Sequence, residues 1–235
     1  MKLGIMQPYF FPYLGYFSLI KHTDKWIVFD TPQFIRHGWI ERNRVLNFNS
    51  DWLYLKVPIV KHSQGTAIKD IKIRNDENWR DKIFAQLAPY KKRAPYYFEV
   101  IKLLKNVFKY ETDSIVELNV EGLKAVCSYL KIIFNYTIFS DKNIKLLNIK
   151  EPDEWALEIA KTFGATAYYN PPNGIKFFDK TKFQKENINF YFLKTELIEY
   201  NQKRSPFEPG LSIIDVMMFN PPEKINSMLD NISIL

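Results

Sequence analysis

The apolar positions of this chain change period several times, and each change marks a different element. Lys2-Leu-Gly-Ile-Met6 is a short apolar run stopped by Gln7-Pro8. Proline cannot donate to a strand ladder, so the run reads as a buried strand entering a loop. Leu14, Phe17 and Ile20 then recur at helical spacing, with Pro12 suited to a first helical turn. Lys25-Trp-Ile-Val-Phe29 is β-rich and ends at Asp30. Strand, loop, helix and strand within about thirty residues have the length of a βαβ unit. Open α/β sheets bind ligands outside the carboxyl ends of their strands, so residues 7–12 and 30–34 are predicted to meet there.

Farther along, Val45 to Phe48 and Trp52 to Val57 read as two strands joined by the turn Asn49-Ser-Asp51, and Ile68 to Ile73 alternates like a half-exposed strand. From Asp76 to Phe134 the period is helical: Trp79, Ile83, Leu87; then Phe98, Ile101, Leu104, Phe108; then Ile115 through Phe134, with Ser114 or Asp113 as cap. Tyr136 to Phe139 returns to strand, and Glu151 to Phe163 is a helix opened by Pro152 and closed by Gly164. Ala165 to Tyr169 and Asn187 to Phe192 are strands, the first followed by the turn Asn170–Gly174, and the chain ends in helices Ser212 to Phe219 and Glu223 to Leu229. The pattern predicts a three-layer, Rossmann-like α/β fold with a mostly parallel sheet, a β-hairpin insertion and a helical middle segment. No repeat or low-complexity linker divides it, so residues 1–235 read as one domain.

Composition sharpens this in a few places. At 46% hydrophobic and 25% charged there is material for a continuous core and no case for disorder. The formal charge of +7 favours acidic small molecules, but the lysines are spread through Lys91-Lys92-Arg93 and Lys142–Lys150, which reads as a solvated basic surface and gives nucleic acid little support. The lone Cys127 excludes an internal disulfide and lies on the apolar stripe of a helix, as a packed thiol would. Without a signal pattern or a long apolar run, the expected location is the cytoplasm, with no membrane span. Gly-rich phosphate loops, Gly-x-Ser-x-Gly and His-Glu-x-x-His are missing, and His22, His37 and His62 lack the spacing of a metal pair, so no metal site is expected.

Three clusters carry candidate chemistry. In the first, Gln7-Pro8-Tyr9 through Tyr16 and Phe17, aromatic rings and prolines crowd a loop before a helix start, where backbone N–H groups suit a phosphate and rings suit a base or sugar; aromatic packing under the loop is the competing account. In the second, Asp30 can serve as a base, and Gln33, Arg36, His37, Trp39, Arg42, Asn43 and Arg44 surround it in sequence, the arginines offering forks for phosphate or carboxylate; a structural Asp–Arg pair explains the same residues. In the third, Tyr200, Gln202 and Asp215 accompany Ser212, which can cap a helix with Asp215 closing a capping box, a reading that leaves Gln202 unexplained.

With Gln7-Pro-Tyr, Pro12, Gly15-Tyr-Phe, Asp24, Asp30, Gln33, Trp39-Ile-x-Arg-Asn43, Val57-Pro58, Tyr200-x-Gln202, Phe207-x-Pro209 and Leu211-Ser-Ile-Ile-Asp215, the sequence resembles the WbqC-like family of bacterial proteins. That family is associated with O-antigen and other surface-polysaccharide gene clusters, which implies a step on a nucleotide-linked sugar. Asp30-Thr-Pro-Gln departs from the acidic pair expected after the second strand, which counts against a two-carboxylate mechanism. A second likeness is to adenylate-forming nucleotidyltransferases such as pantothenate synthetase, whose phosphate-holding histidines are replaced here by Tyr13 and Tyr16. Taken with the residues of the three clusters, the resemblance to the WbqC-like family leads to the expectation of a transferase that modifies a nucleotide-linked sugar, foremost by acylating or aminoacylating a sugar amine. Asp30, His37 and Tyr16 would be catalytic, with Asp30 as base. Gln7, Pro8, Tyr9, Gln33, Trp39, Asn43, Tyr200, Gln202 and Asp215 would contact substrate, and Arg36, Arg42 and Arg44 would hold phosphate or the donor's carboxylate. The partners are then the nucleotide sugar and an acyl or aminoacyl donor, with homodimerisation open. The alternatives are an amide ligase using ATP with Mg²⁺ and a non-catalytic glycan-binding or assembly module. All of these readings require the three clusters to converge on one cavity.

Overall fold

The structure, a computed structural model, describes residues 1–49, 51–146 and 149–235. Its main sheet has six strands in the order β5-β2-β1-β6-β7-β8: β1 Lys2–Met6, β2 Lys25–Val28, β5 Tyr136–Ile138, β6 Ala167–Asn170, β7 Asn189–Thr195 and β8 Ile232–Ile234. All neighbours are parallel except β7 and β8, and a second sheet is the antiparallel hairpin of β3 Arg42–Leu46 and β4 Trp52–Lys56. Ser50, in the turn predicted between them, lies outside the described residues. The mostly parallel α/β sheet and its hairpin companion are those expected from the sequence.

Side-chain alternation sends the two faces of the sheet into separate cores. Leu3 and Ile5 of β1 face one core with Ile27, the helix α5 Pro152–Thr162 and Phe183 from α6 Lys180–Lys185. Trp26 and Val28 face the other, where they meet α1 Leu14–Lys21, the hairpin, and the helices α2 Trp79–Leu87, α3 Tyr97–Phe108, α4 Ile115–Tyr129, α7 Ile213–Phe219 and α8 Pro222–Leu229. Gly4 is required on this face, because a Cβ there would come within 2.7 Å of the Trp26 ring on the adjoining strand.

Two expectations need correction. Ile68–Asp70 is a turn of 3-10 helix, and the residues after it pair with other segments through the isolated bridges Ile59 to Ile73 and Lys72 to Ser114 instead of a strand ladder. Ile68, Ile71 and Ile73 are buried, and a three-residue step followed by a two-residue step mimics alternation. Phe98 was counted in the apolar stripe of α3, yet it is 67% exposed, and Val100, Leu104, Val107 and Phe108 make the buried face. Ser114 caps α4 as predicted, accepting from the Glu117 N–H. Cys127 is buried in α4, and desolvation pushes its thiol up to about 12.

Candidate functional site

The first connection from β1 runs through α1 to β2, on one side of β1, whereas β6, reached through α5, returns to its other side. The sheet therefore reverses its order between β1 and β6, and that crevice at the carboxyl ends is where such folds bind ligands. A cavity of about 190 Å³ opens there. Met6 ends β1 and Pro171 follows β6, and both line it; Tyr9, Pro12 and Tyr13 come from the first cluster, Trp39 and Asn43 from the second, Gly210 from the third, and Asn173 from the turn after β6.

The wall made by residues 7–12 is irregular backbone, and buried irregular backbone needs partners for its carbonyls. All but one come from far along the chain. Tyr16 Oη donates to the Gln7 carbonyl at 2.8 Å, and Asn119 Nδ2, on α4, donates to that of Pro8 at 2.8 Å and to that of Ile40 at 2.9 Å. Asn43 Nδ2 bridges the Phe10 and Phe11 carbonyls at 3.0 Å each, and Ser212 Oγ donates to Phe11 at 2.6 Å. The Ile213 N–H reaches the Pro12 carbonyl at 2.9 Å. This scaffold holds Phe11 at a φ of 40°, a left-handed conformation that a bulky residue seldom adopts unsupported.

Tyr13 precedes α1 without a side-chain cap bond, and its ring lies over Gly15, where a Cβ would come within 2.5 Å of it. Glycine at 15 thus lets the ring cover the helix start and form cavity wall. The phenolic hydroxyls of Tyr9 and Tyr13 make no hydrogen bond to the described residues. Burial raises the pKa of both, and repulsion from Tyr13 raises Tyr9 further, so both are neutral donors at physiological pH. Tyr16 differs: it is 1% exposed, burial drives its pKa well up, and its hydroxyl is engaged by Gln7. Its ring lies 5.7 Å from that of Tyr9, so it supports the wall from behind.

The remaining predicted residues divide by what holds them. Asp30 is buried at the end of β2, where its carboxylate accepts from the Ser140 N–H at 3.1 Å and from Ser140 Oγ at 2.5 Å. It does not line the cavity. Burial raises its pKa, while the Ser140 hydrogen bonds oppose the rise. Gln33, Arg36 and His37 are exposed on the loop before β3, and Glu41 Oε1 accepts from the His37 N–H at 3.1 Å. Arg42 donates to the carbonyls of His37 at 2.5 Å and Gly38 at 3.4 Å and stacks 3.9 Å from the Tyr54 ring, turned from the cavity.

Asp215, Tyr200 and Gln202 form a buried network beneath the site. Asp215 accepts from Tyr90 Oη, from Tyr200 Oη at 2.6 Å and from Gln202 Nε2 at 3.4 Å, and Tyr90 Oη in turn accepts from the Leu46 N–H at 2.7 Å. Gln202 also exchanges bonds with the Glu208 backbone at 2.9 and 2.8 Å. Asp215 therefore does not close a capping box, although Ser212 does cap α7, accepting from Ile214 at 3.2 Å. Burial raises the pKa of Asp215, with the tyrosine hydroxyls opposing the shift, and burial beside Asp215 raises both tyrosines strongly. The network anchors the tail that delivers Gly210 to the cavity, and it accounts for Gln202.

Sequence reasoning did not single out Asn173, Pro171 or Gly210 for this site. The only signal for the first two was a proline-rich turn at a strand's carboxyl end, and Gly210 has a φ of 66°, the left-handed region glycine fills without strain. Among the described residues no group of His, Cys, Asp and Glu is placed to hold a metal ion. Nor is any helix among the described residues long and apolar enough to cross a membrane.

The model of the WbqC-like protein family matches residues 7–227, a span holding every part of this cavity wall except Met6. The chain belongs to the WbqC-like family. A relative is the Mycobacterium tuberculosis (strain H37Rv) protein named "Uncharacterized protein Rv1507c", 26% identical over 228 residues and covering 93% of each chain. This WbqC-like chain matches no solved structure.

Proposed function

We propose that the protein is a transferase that modifies a nucleotide-linked amino sugar, by N-acylation or aminoacylation, during surface-polysaccharide assembly. The observation that carries this reading is the wall of the switch-point cavity, which combines the rings of Tyr9, Tyr13 and Trp39 with the amide of Asn173. A sugar presents C–H faces that aromatic rings cover and hydroxyls that phenols and amides satisfy. At about 190 Å³ the cavity falls below the roughly 300–1,000 Å³ of drug-sized sites, so it suits one monosaccharide with the nucleotide left outside.

In this reading the sugar amine attacks the acyl carbon of an activated donor. The new C–N bond forms as the carbonyl becomes an oxyanion, which Tyr9 and Tyr13 stabilise as neutral donors. Collapse of that intermediate expels the leaving group with its electron pair, and the amine's proton departs with it. Asp30, bonded to Ser140, positions the end of β2 in this scheme and does not act as the base.

One observation favours a second reading, a glycan-binding module: the lining residues include no carboxylate, imidazole or ammonium group. A thermal-shift series with UDP-, GDP- and dTDP-linked amino sugars, followed by an acyl-transfer assay on any that bind, separates them. The transferase reading expects a raised Tm with at least one nucleotide sugar, as binding linkage requires, and product formation. Binding without turnover across thioester and aminoacyl donors would favour the module, and pyrophosphate release from ATP would favour the amide ligase.

A further inference from the structure

Arg44 stands apart from the other arginines of its cluster. It lies on β3 with its main chain fixed on both sides: its N–H donates to Asn43 Oδ1 at 2.8 Å, and its carbonyl accepts from the Ser212 N–H at 2.8 Å. Its guanidinium carbon lies 5.2 Å from the Trp52 ring and 5.7 Å from the Trp39 ring. Nη2 is 3.5 Å from the Gly210 carbonyl. Trp39 and Gly210 are cavity wall, so the cation sits at the edge of the cavity. Its Nε is buried without an acceptor among the described residues.

A cation held between indoles is attracted by their faces but not neutralised by them. Burying part of it without a counter-charge is unfavourable unless a ligand supplies one. The guanidinium fork matches the oxygens of a phosphate or carboxylate, which a lysine in its place would engage only as a point charge. Resting on the reading of the cavity as a monosaccharide site, we infer that Arg44 is the anion-binding residue at its mouth, selecting sugars that carry an oxyanion beside the ring. With room for one sugar inside, the phosphate that links it to a nucleotide falls outside the cavity, where Arg44 stands.

The test uses the full chain and its Arg44→Gln and Arg44→Lys variants, with glucose, glucose 1-phosphate, glucuronate and inorganic phosphate as probes in calorimetric titrations at low and moderate salt. Glucose 1-phosphate should bind the native chain at least about tenfold more tightly than glucose, the worth of one charge-assisted hydrogen bond. Arg44→Gln should erase that advantage while leaving glucose affinity within about twofold, and Arg44→Lys should keep part of it with a stronger salt dependence. If glucuronate matches the phosphate, a carboxylated sugar is the source of the anion. If no sugar binds but inorganic phosphate does, and only with Arg44 present, the anion site stands and the sugar reading falls. A phosphate advantage that persists in Arg44→Gln, or native affinity equal for glucose and its phosphate, overturns the inference. Arg44→Lys keeps the charge and stem, so the test survives if Arg44→Gln fails to fold.

Discussion

The ends of β1 and β2 lie side by side in one parallel sheet, yet their polar groups have opposite fates. At the end of β2, both carboxylate oxygens of Asp30 accept from Ser140 across 110 residues of chain. Beyond β1, the phenols of Tyr9 and Tyr13 face a cavity without partners, while the backbone behind them is bonded at nearly every carbonyl. Carboxylates in sequence motifs draw the eye as catalysts, but a carboxylate whose oxygens are occupied mainly holds two elements together. Neutral hydroxyls without a protein partner, on residues that line a rigid cavity wall, are the groups the proposed function draws on.

The strongest way to break this contrast is Asp30→Ala. It removes two acceptors of a buried carboxylate and should lower unfolding stability by about 2–4 kcal/mol in urea titration, with sugar binding intact at permissive temperature. Undiminished stability with lost turnover would return Asp30 to the chemistry. Ser212→Ala should cost about 1–2 kcal/mol, since the hydroxyl both caps α7 and holds the Phe11 carbonyl, and should weaken ligand binding in parallel. Tyr13→Phe should shift stability by only about 0.5 kcal/mol or less while reducing nucleotide-sugar affinity or turnover about tenfold; equal function would remove this phenol from the proposed mechanism.

The smallest effect concerns pH. Burial raises the folded-state pKa of Asp30 above 3.8, so the folded chain holds that proton where the unfolded chain has released it. Its contribution to stability is full below 3.8 and is lost as pH rises through the higher folded value. Compared with Asp30→Asn, the native chain should therefore gain relative stability as pH falls from 7 toward 4, checked by paired urea titrations. An opposite slope would mean that the Ser140 bonds outweigh burial.

How far the sequence could be read depended on the range of the forces involved. The opening β1, α1 and β2 were legible because Pro8, Leu14, Phe17 and Ile20 act locally, and the three helices from Trp79 to Tyr129 were legible by period. The step from Ile68 to Ile73 misled because 3-10 turn and strand spacings coincide over six residues. In the site, Tyr9, Trp39 and Asn43 were recognised as candidates, but nothing local separates the roles of Arg42 and Arg44, which differ in whether the guanidinium meets Tyr54 or Trp39. Asp215 looked like a cap residue because its partners Tyr90 and Tyr200 are distant in sequence.

The bond from Ser212 to Phe11 spans 201 residues. A nascent chain can form its first strand and helix early, but the pocket has no complete wall until the segment that carries Gly210 and Ser212 emerges and folds back. Closing such a wide loop is entropically slow, so assembly of the cavity wall belongs to a late stage of folding. Binding competence then reports on the whole molecule. A chain shortened before Gly210 should retain helical signal yet show no ligand protection, and a bound sugar should slow hydrogen exchange at both termini together.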